Sequence, residues 1–282
     1  MIFQQISVSP GKGRHPLRAF RAFYFFLLLC LCLPIRFSVA AAPAREAIPV
    51  PLGLPAAISE DAPDRIAAAF LGIPYRFDGA VNEFGQYSMF ADQSRIFSTP
   101  GLNCSGLVLA ASRFFLGRNV TLSEAIRDRL GDSGPGAPDG EDWDFGWDLI
   151  LNISEGFTRE LLLPGGKVQD PATATGFSPR GYDIHEPATW EELPGRLLPG
   201  YLYLVSLNTT GHRKGYGLQH YHVGFLHVDP AGKAWFYQTT GKGAVANRRD
   251  LKSPQGQASF KRSFANTGGN RKMMLILAVP LP

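Results

Sequence analysis

Cys104 stands in the run Gly101-Leu102-Asn103-Cys104-Ser105-Gly106-Leu107-Val108, where a loop gives way to apolar residues at helical spacing. The first amides of a helix have no partner inside it, and the helix dipole is positive at that end. A thiolate there is stabilised, so the thiol becomes a better nucleophile near neutral pH. Such a nucleophile needs a base, and a third group to orient the base. His220-Tyr221-His222-Val223-Gly224-Phe225 supplies two imidazoles, which alternation along a strand predicts on one face. His222 is the first candidate for base and His220 the alternative. Gln238 lies on the strand that follows, and its amide oxygen can accept from the far imidazole nitrogen.

These residues need a helix tip and a sheet to hold them. Leu107, Val108, Ala110, Ala111 and Phe114 give the cysteine helix an apolar face, and Gly117 ends it. An earlier helix follows Ser59 or Asp61 as N-cap, with Ile66, Ala67 and Phe70 on one side and Gly72 as its stop. Thr121-Leu122-Ser123-Glu124 is a capping box that predicts a third helix running to Gly131. The last third is rich in β-branched and aromatic runs: 200–205, 220–228, 234–239 and 273–279. Asp229-Pro230-Ala231-Gly232 is a turn joining two of them. Helices first and strands later predict an α+β fold with an antiparallel sheet. Residues 132–190 read as an irregular, partly helical insertion, with Trp143 to Trp147 in an exposed loop or a groove wall.

Of the 282 residues 45% are hydrophobic and 18% charged, which excludes disorder. The net charge of +4 does not argue for nucleic acid. Residues 1–40 hold Lys12, Arg14, Arg18, Arg21 and Arg36 and no acidic residue, so the rest has 28 − 5 = 23 basic against 24 acidic side chains. That basic segment precedes the apolar run Ala22 to Ile35 and the small residues Ser38-Val39-Ala40-Ala41-Ala42, the order of a cleavable secretory signal. The apolar run of 14 residues is short for a hydrocarbon layer of about 30 Å, so membrane contact is expected only before cleavage. Export to a periplasmic or extracellular space would remove Cys30 and Cys32 and leave Cys104 alone. Residues 41–58, rich in Ala and Pro, read as an extended lead-in to one catalytic domain over 59–282.

Three pieces resemble, in order, the NlpC-like cell-wall cysteine peptidases, bacterial relatives of papain. They are Leu71-Gly72-Ile73-Pro74-Tyr75-Arg76-Phe77-Asp78-Gly79, then Asn103-Cys104-Ser105-Gly106-Leu107-Val108, then Leu198-Pro199-Gly200-Tyr201-Leu202-Tyr203 with His222-Val223-Gly224-Phe225. The resemblance covers roughly residues 65–110 and 195–240. It implies a papain-like fold with the nucleophile helix packed on an antiparallel sheet, and no cofactor or metal. It implies Cys104 as nucleophile, His222 as base, Gln238 at the third polar position and Tyr75 on the oxyanion or substrate side, with Asn103, Ser105 and His220 lining the substrate site. The implied substrate is a peptidoglycan stem peptide cut at a γ-D-glutamyl–diaminopimelate amide. Asn103 stands where an acidic residue is usual, Tyr201 where an Asp is usual, and about 117–190 is an insertion that lengthens the stretch between Cys104 and His222.

Other readings of the same residues stay open here. Cys104 alone could be a buried inert thiol. His220 and His222, with His212 or His227, could be zinc ligands, although the spacing of His227 turns it to the other face. The altered motifs could mark a wall-binding protein without turnover, and the same nucleophile could serve acyl transfer.

Overall fold

Two runs at the centre of the molecule keep no polar side: Tyr201–Thr210 and Lys272–Pro280. A strand that is apolar on both faces has to be covered on both. Around these two runs the structure, a computed structural model, describes residues 45–137, 140–211 and 217–282. The proposed signal segment, residues 41–44 of the lead-in and His212 lie outside the described residues.

In chain order the described helices are α1 (Pro63–Ala69), α2 (Cys104–Leu116), α3 (Leu122–Ala125), α4 (Phe145–Ile153), α5 (Pro187–Arg196) and α6 (Pro254–Ser263). The strands are β1 (Gly79–Val81), β2 (Tyr87–Met89), β3 (Glu160–Leu162), β4 (Val168–Gln169), β5 (Tyr182–Asp183), β6 (Tyr201–Thr210), β7 (Leu218–Val228), β8 (Ala234–Gln238), β9 (Asn247–Asp250) and β10 (Lys272–Pro280). β1 and β2 form a small hairpin. The other eight make one sheet in the order β4-β3-β10-β6-β7-β8-β9, with β5 also on β10, and every pair is antiparallel. The α+β class with an antiparallel sheet is therefore observed.

Alternation sorts the two faces. Leu202 and Leu204 of β6, with Leu275, Leu277 and Val279 of β10, pack with α1, α2 and α4. Tyr203, Val205 and Leu207, with Met274, Ile276 and Ala278, pack with Trp190 and Leu193 of α5 and Phe260 of α6. The sheet is thus the middle layer, and α2 lies on β7.

Several sequence expectations need correction. The helix α1 is capped by Ala62, not by Ser59 or Asp61; Asp61 instead pairs with Arg65 at 2.8 Å. The capping box at Thr121 forms, but α3 stops after Ala125. The side chain of Asn152 takes the carbonyls of Ala125 and Arg127, and Asp148 takes the amide of Arg129, which bends the chain away from a helical path. Segment 45–58 is neither fully extended nor unpacked: it turns at 52–57 into a short 3-10 helix, Ile58–Glu60, with Ile48 and Ile58 in the core and Glu46 bonded to Gly117 and Asn119. The 117–190 stretch is partly helical and irregular as expected, but it is built into the fold: α4 is buried against β6 and β7, and β3 and β5 pair with β10. Trp143 and Trp147 are buried, so that run is not an exposed loop.

Candidate active site

Asn103 starts the nucleophile helix. Its backbone is extended and its side-chain oxygen accepts the Gly106 amide at 2.7 Å, while Gly117 closes the other end in the left-handed conformation. Asn103 also donates its own amide to Gly79 at 2.9 Å. Gly106 permits this approach, since a Cβ there would run into the carbonyl oxygen of Gly79. Cys104 is thus the first residue of α2, partly buried, with its backbone amide among the unpartnered ones of the helix tip.

The strand β7 brings the base. His222 lies beside the thiol and hydrogen-bonds to it, and the Val223 amide donates to the same sulfur. On its other side His222 Nε2 is 3.0 Å from Gln238 Oε1. Gln238 is fully buried, and its Nε2 has no hydrogen-bond partner among the described residues. The ring of His222 packs on Phe264 at 5.2 Å, which limits its rotation. Ser105 is buried with its hydroxyl 3.9 Å from the sulfur. Burial by itself would push the thiol up. The charge and hydrogen bond of His222, helped by the Val223 amide and the Ser105 hydroxyl, outweigh burial and bring Cys104 down to about 7.

Tyr75 sits on an extended segment held from two sides. Leu102 donates to Pro74 at 3.0 Å, and Tyr75 donates to Ala244 at 2.8 Å. Tyr75 is therefore next to the residue pair that precedes the nucleophile. Burial raises its hydroxyl, and the nearby charges of Cys104 and Asp78 add to this, so the phenol stays a donor.

His220 does not join this group. Its Nδ1 is 2.8 Å from the Ser206 hydroxyl and its Nε2 is 3.0 Å from the Gly176 carbonyl. A carbonyl only accepts, so Nε2 carries the proton and Nδ1 accepts from Ser206. Trp143 and Trp147 flank the ring. Burial, helped by the charge of Arg180, holds it down to about 4 in spite of the Gly176 carbonyl, and it remains neutral. The expectation that His220 and His222 share a face is corrected by a β-bulge. Leu207 pairs with His222 and the next residue, Asn208, with His220, so Tyr221 is an extra residue. Adjacent Ser206 and Leu207 point to opposite faces, and the two imidazoles follow them. His220 is removed as an alternative base because both its ring nitrogens are engaged, by Ser206 and Gly176, and the pair, on opposite faces, cannot converge on one zinc ion. Among the described residues no group of three or more His, Cys, Asp or Glu is arranged to hold a metal.

A cleft of about 410 Å³ is lined by Asp78, Phe90, Ala91, Ile126, Asp142, Phe145, Gln219, His220 and Tyr221; neither Cys104 nor His222 lines it, but residues next to the site do. Asp78 is next to Gly79, the residue bonded to Asn103, and Tyr221 precedes His222. Asp142 and Phe145 of the acidic, aromatic run do line a groove, whereas sequence reasoning gave no role to Asp78, to Gln219 or to the amide of Val223. The Asp78-Gly79 dipeptide was the one available signal of unusual backbone.

No family model, no curated protein and no solved structure matches the chain.

Proposed function

We propose that the protein is an exported cysteine hydrolase that cleaves an amide bond in peptidoglycan stem peptides. The observation that carries this reading is the relay from Cys104 through His222 to Gln238, with a thiol already brought to about 7. The thiolate of Cys104 attacks the carbonyl carbon, and the oxygen takes up the negative charge. The amide of Cys104 at the helix tip and the hydroxyl of Tyr75 serve as donors to that oxygen. His222, protonated by the thiol, gives its proton to the leaving amine as the C–N bond breaks. Water then attacks the thioester, returning a proton to Cys104 through the same imidazole. Gln238 keeps the ring oriented throughout.

The choice of substrate rests on the motif resemblance around Tyr75, Cys104 and His222, which points to papain-like architecture and to a γ-D-glutamyl–diaminopimelate link. The basic, apolar and small-residue order of 1–42 supports a periplasmic or secreted location. Incubation with purified cell walls, followed by mass spectrometry of released peptides, tests the proposal. The native protein should release stem-peptide fragments and Cys104→Ala should release none. Equal release by both proteins would overturn it.

A further inference from the structure

The cleft lined by Asp78 and Tyr221, chain neighbours of Gly79 and His222, has two unlike halves. Phe90, Ile126 and Phe145 form an apolar side, with the Phe90 and Phe145 rings edge to face at 6.0 Å. Asp78, Asp142 and Gln219 form a side of acceptors. Asp78 and Asp142 are the two non-glycine residues with positive φ among the described residues, each at 55°. A left-handed backbone costs an ordinary residue about 1 kcal/mol or more, and such positions gather at functional sites. Both of them here line one cleft.

Gln219 adds an independent observation. Its side chain is only 5% exposed, and Oε1 has no hydrogen-bond partner among the described residues. A buried acceptor left unpaired costs about 1–3 kcal/mol, which a donor brought by a ligand would recover. Two carboxylates and an unpaired carbonyl oxygen call for a group that is cationic and rich in N–H. No Lys or Arg among the described residues lines the cleft to supply it. The aromatic and aliphatic half calls for hydrocarbon attached to that group.

We propose that this cleft is a specificity subsite for a substrate residue with an aliphatic stem ending in an ammonium or guanidinium group. Asp78 and Asp142 neutralise the charge, Gln219 accepts one of its N–H groups, and Phe90, Ile126 and Phe145 cover the stem. This inference rests on the hydrolase reading for its link to catalysis, but the binding itself does not need turnover.

The test uses full-length Cys104→Ala protein and three small probes: the N-acetyl amides of lysine, arginine and norleucine, titrated by ligand-observed NMR. The lysine or the arginine probe should bind at least tenfold more tightly than norleucine, and added salt should shrink the difference. Asp78→Asn with Asp142→Asn should abolish the preference. Asn tolerates positive φ about as well as Asp, so the backbone is kept. Equal binding of all three probes by the unsubstituted cleft would overturn the inference without relying on any variant to fold. Alkylation of Cys104 in the native protein is read separately. A reactive thiol with no cation preference sinks this inference alone, whereas a cation preference beside an inert thiol sinks the hydrolase reading and leaves the subsite standing.

Discussion

His222 Nε2 lies 3.0 Å from Gln238 Oε1. A carboxamide oxygen only accepts, so the proton sits on Nε2 and Nδ1 is left to face the sulfur. Gln238 therefore fixes which nitrogen meets the thiol, although it touches neither the sulfur nor any substrate.

This relationship separates the roles of base and orienter. Labelling of Cys104 by iodoacetamide should titrate with a midpoint near 7 in the native protein. His222→Ala removes the charge and hydrogen bond that offset burial, and the midpoint should rise to about 8.5 or above. Turnover should fall by about 10²–10⁴ with His222→Ala and by about tenfold with Gln238→Ala, which keeps the base but frees its ring. A midpoint unchanged by His222→Ala would remove the imidazole from the thiol's environment.

Ser206 of β6, bonded to His220 on the other face of the sheet, offers the matching control. Ser206→Ala leaves the buried Nδ1 of His220 without its donor, and the loss of stability should be about 1–3 kcal/mol in urea unfolding. The labelling midpoint of Cys104 should stay where it is. A shifted midpoint would mean that the two histidines act together, against the separation made by the bulge at Tyr221.

Much of this arrangement could be read from sequence, because its signals are local. Asn103 and Gly117 mark the ends of α2 through backbone preferences, and the apolar runs of β6, β7 and β10 declare buried strands. The bulge could not be read, since an extra residue leaves no mark on the alternation of a run buried on both faces. Strands β3 and β5 have three and two residues, too short to show a pattern, and pairing with the distant β10 ties them into the sheet. In β9, Asn247-Arg248-Arg249-Asp250 has no apolar alternation at all. The acidic residues around Trp143 suggested solvent, yet Asp144 and Asp148 are buried with the tryptophans.

Gly106 tests how closely the helix tip must approach β1. In Gly106→Ala the new methyl meets the Gly79 carbonyl, a backbone atom that cannot rotate away. Helix α2 would have to lift off β1, which should cost about 1–3 kcal/mol. The thiol would move with it, so labelling should also lose its low midpoint. A variant as stable and as reactive as the native protein would show that the contact with Gly79 does not position Cys104.

Asp148 carries a pH dependence of opposite sign to that of most paired carboxylates. Burial pushes it up to about 7, aided by the charges of Asp144 and Asp128, although the amide and charge of Arg129 pull it down. Asp144, bonded to the Ser133 hydroxyl, is pushed up by burial to about 6. A carboxyl whose folded value lies above its unfolded value of 3.8 binds its proton more tightly when folded. Its contribution is full below 3.8 and is lost as pH rises through about 7. His220 works the other way between its ordinary 6.5 and about 4, so the comparison must be between variant and native protein at each pH. Asp148→Asn keeps an acceptor for the Arg129 amide and removes the charge. With about 1.4 kcal/mol per pH unit of displacement, the variant should be more stable by on the order of 2–4 kcal/mol at pH 8 and no more stable at pH 4. Thermal unfolding at the two pH values decides it: a variant less stable than the native protein at pH 8 would show that Asp148 is held as a paired anion, stabilising where this account has it costly.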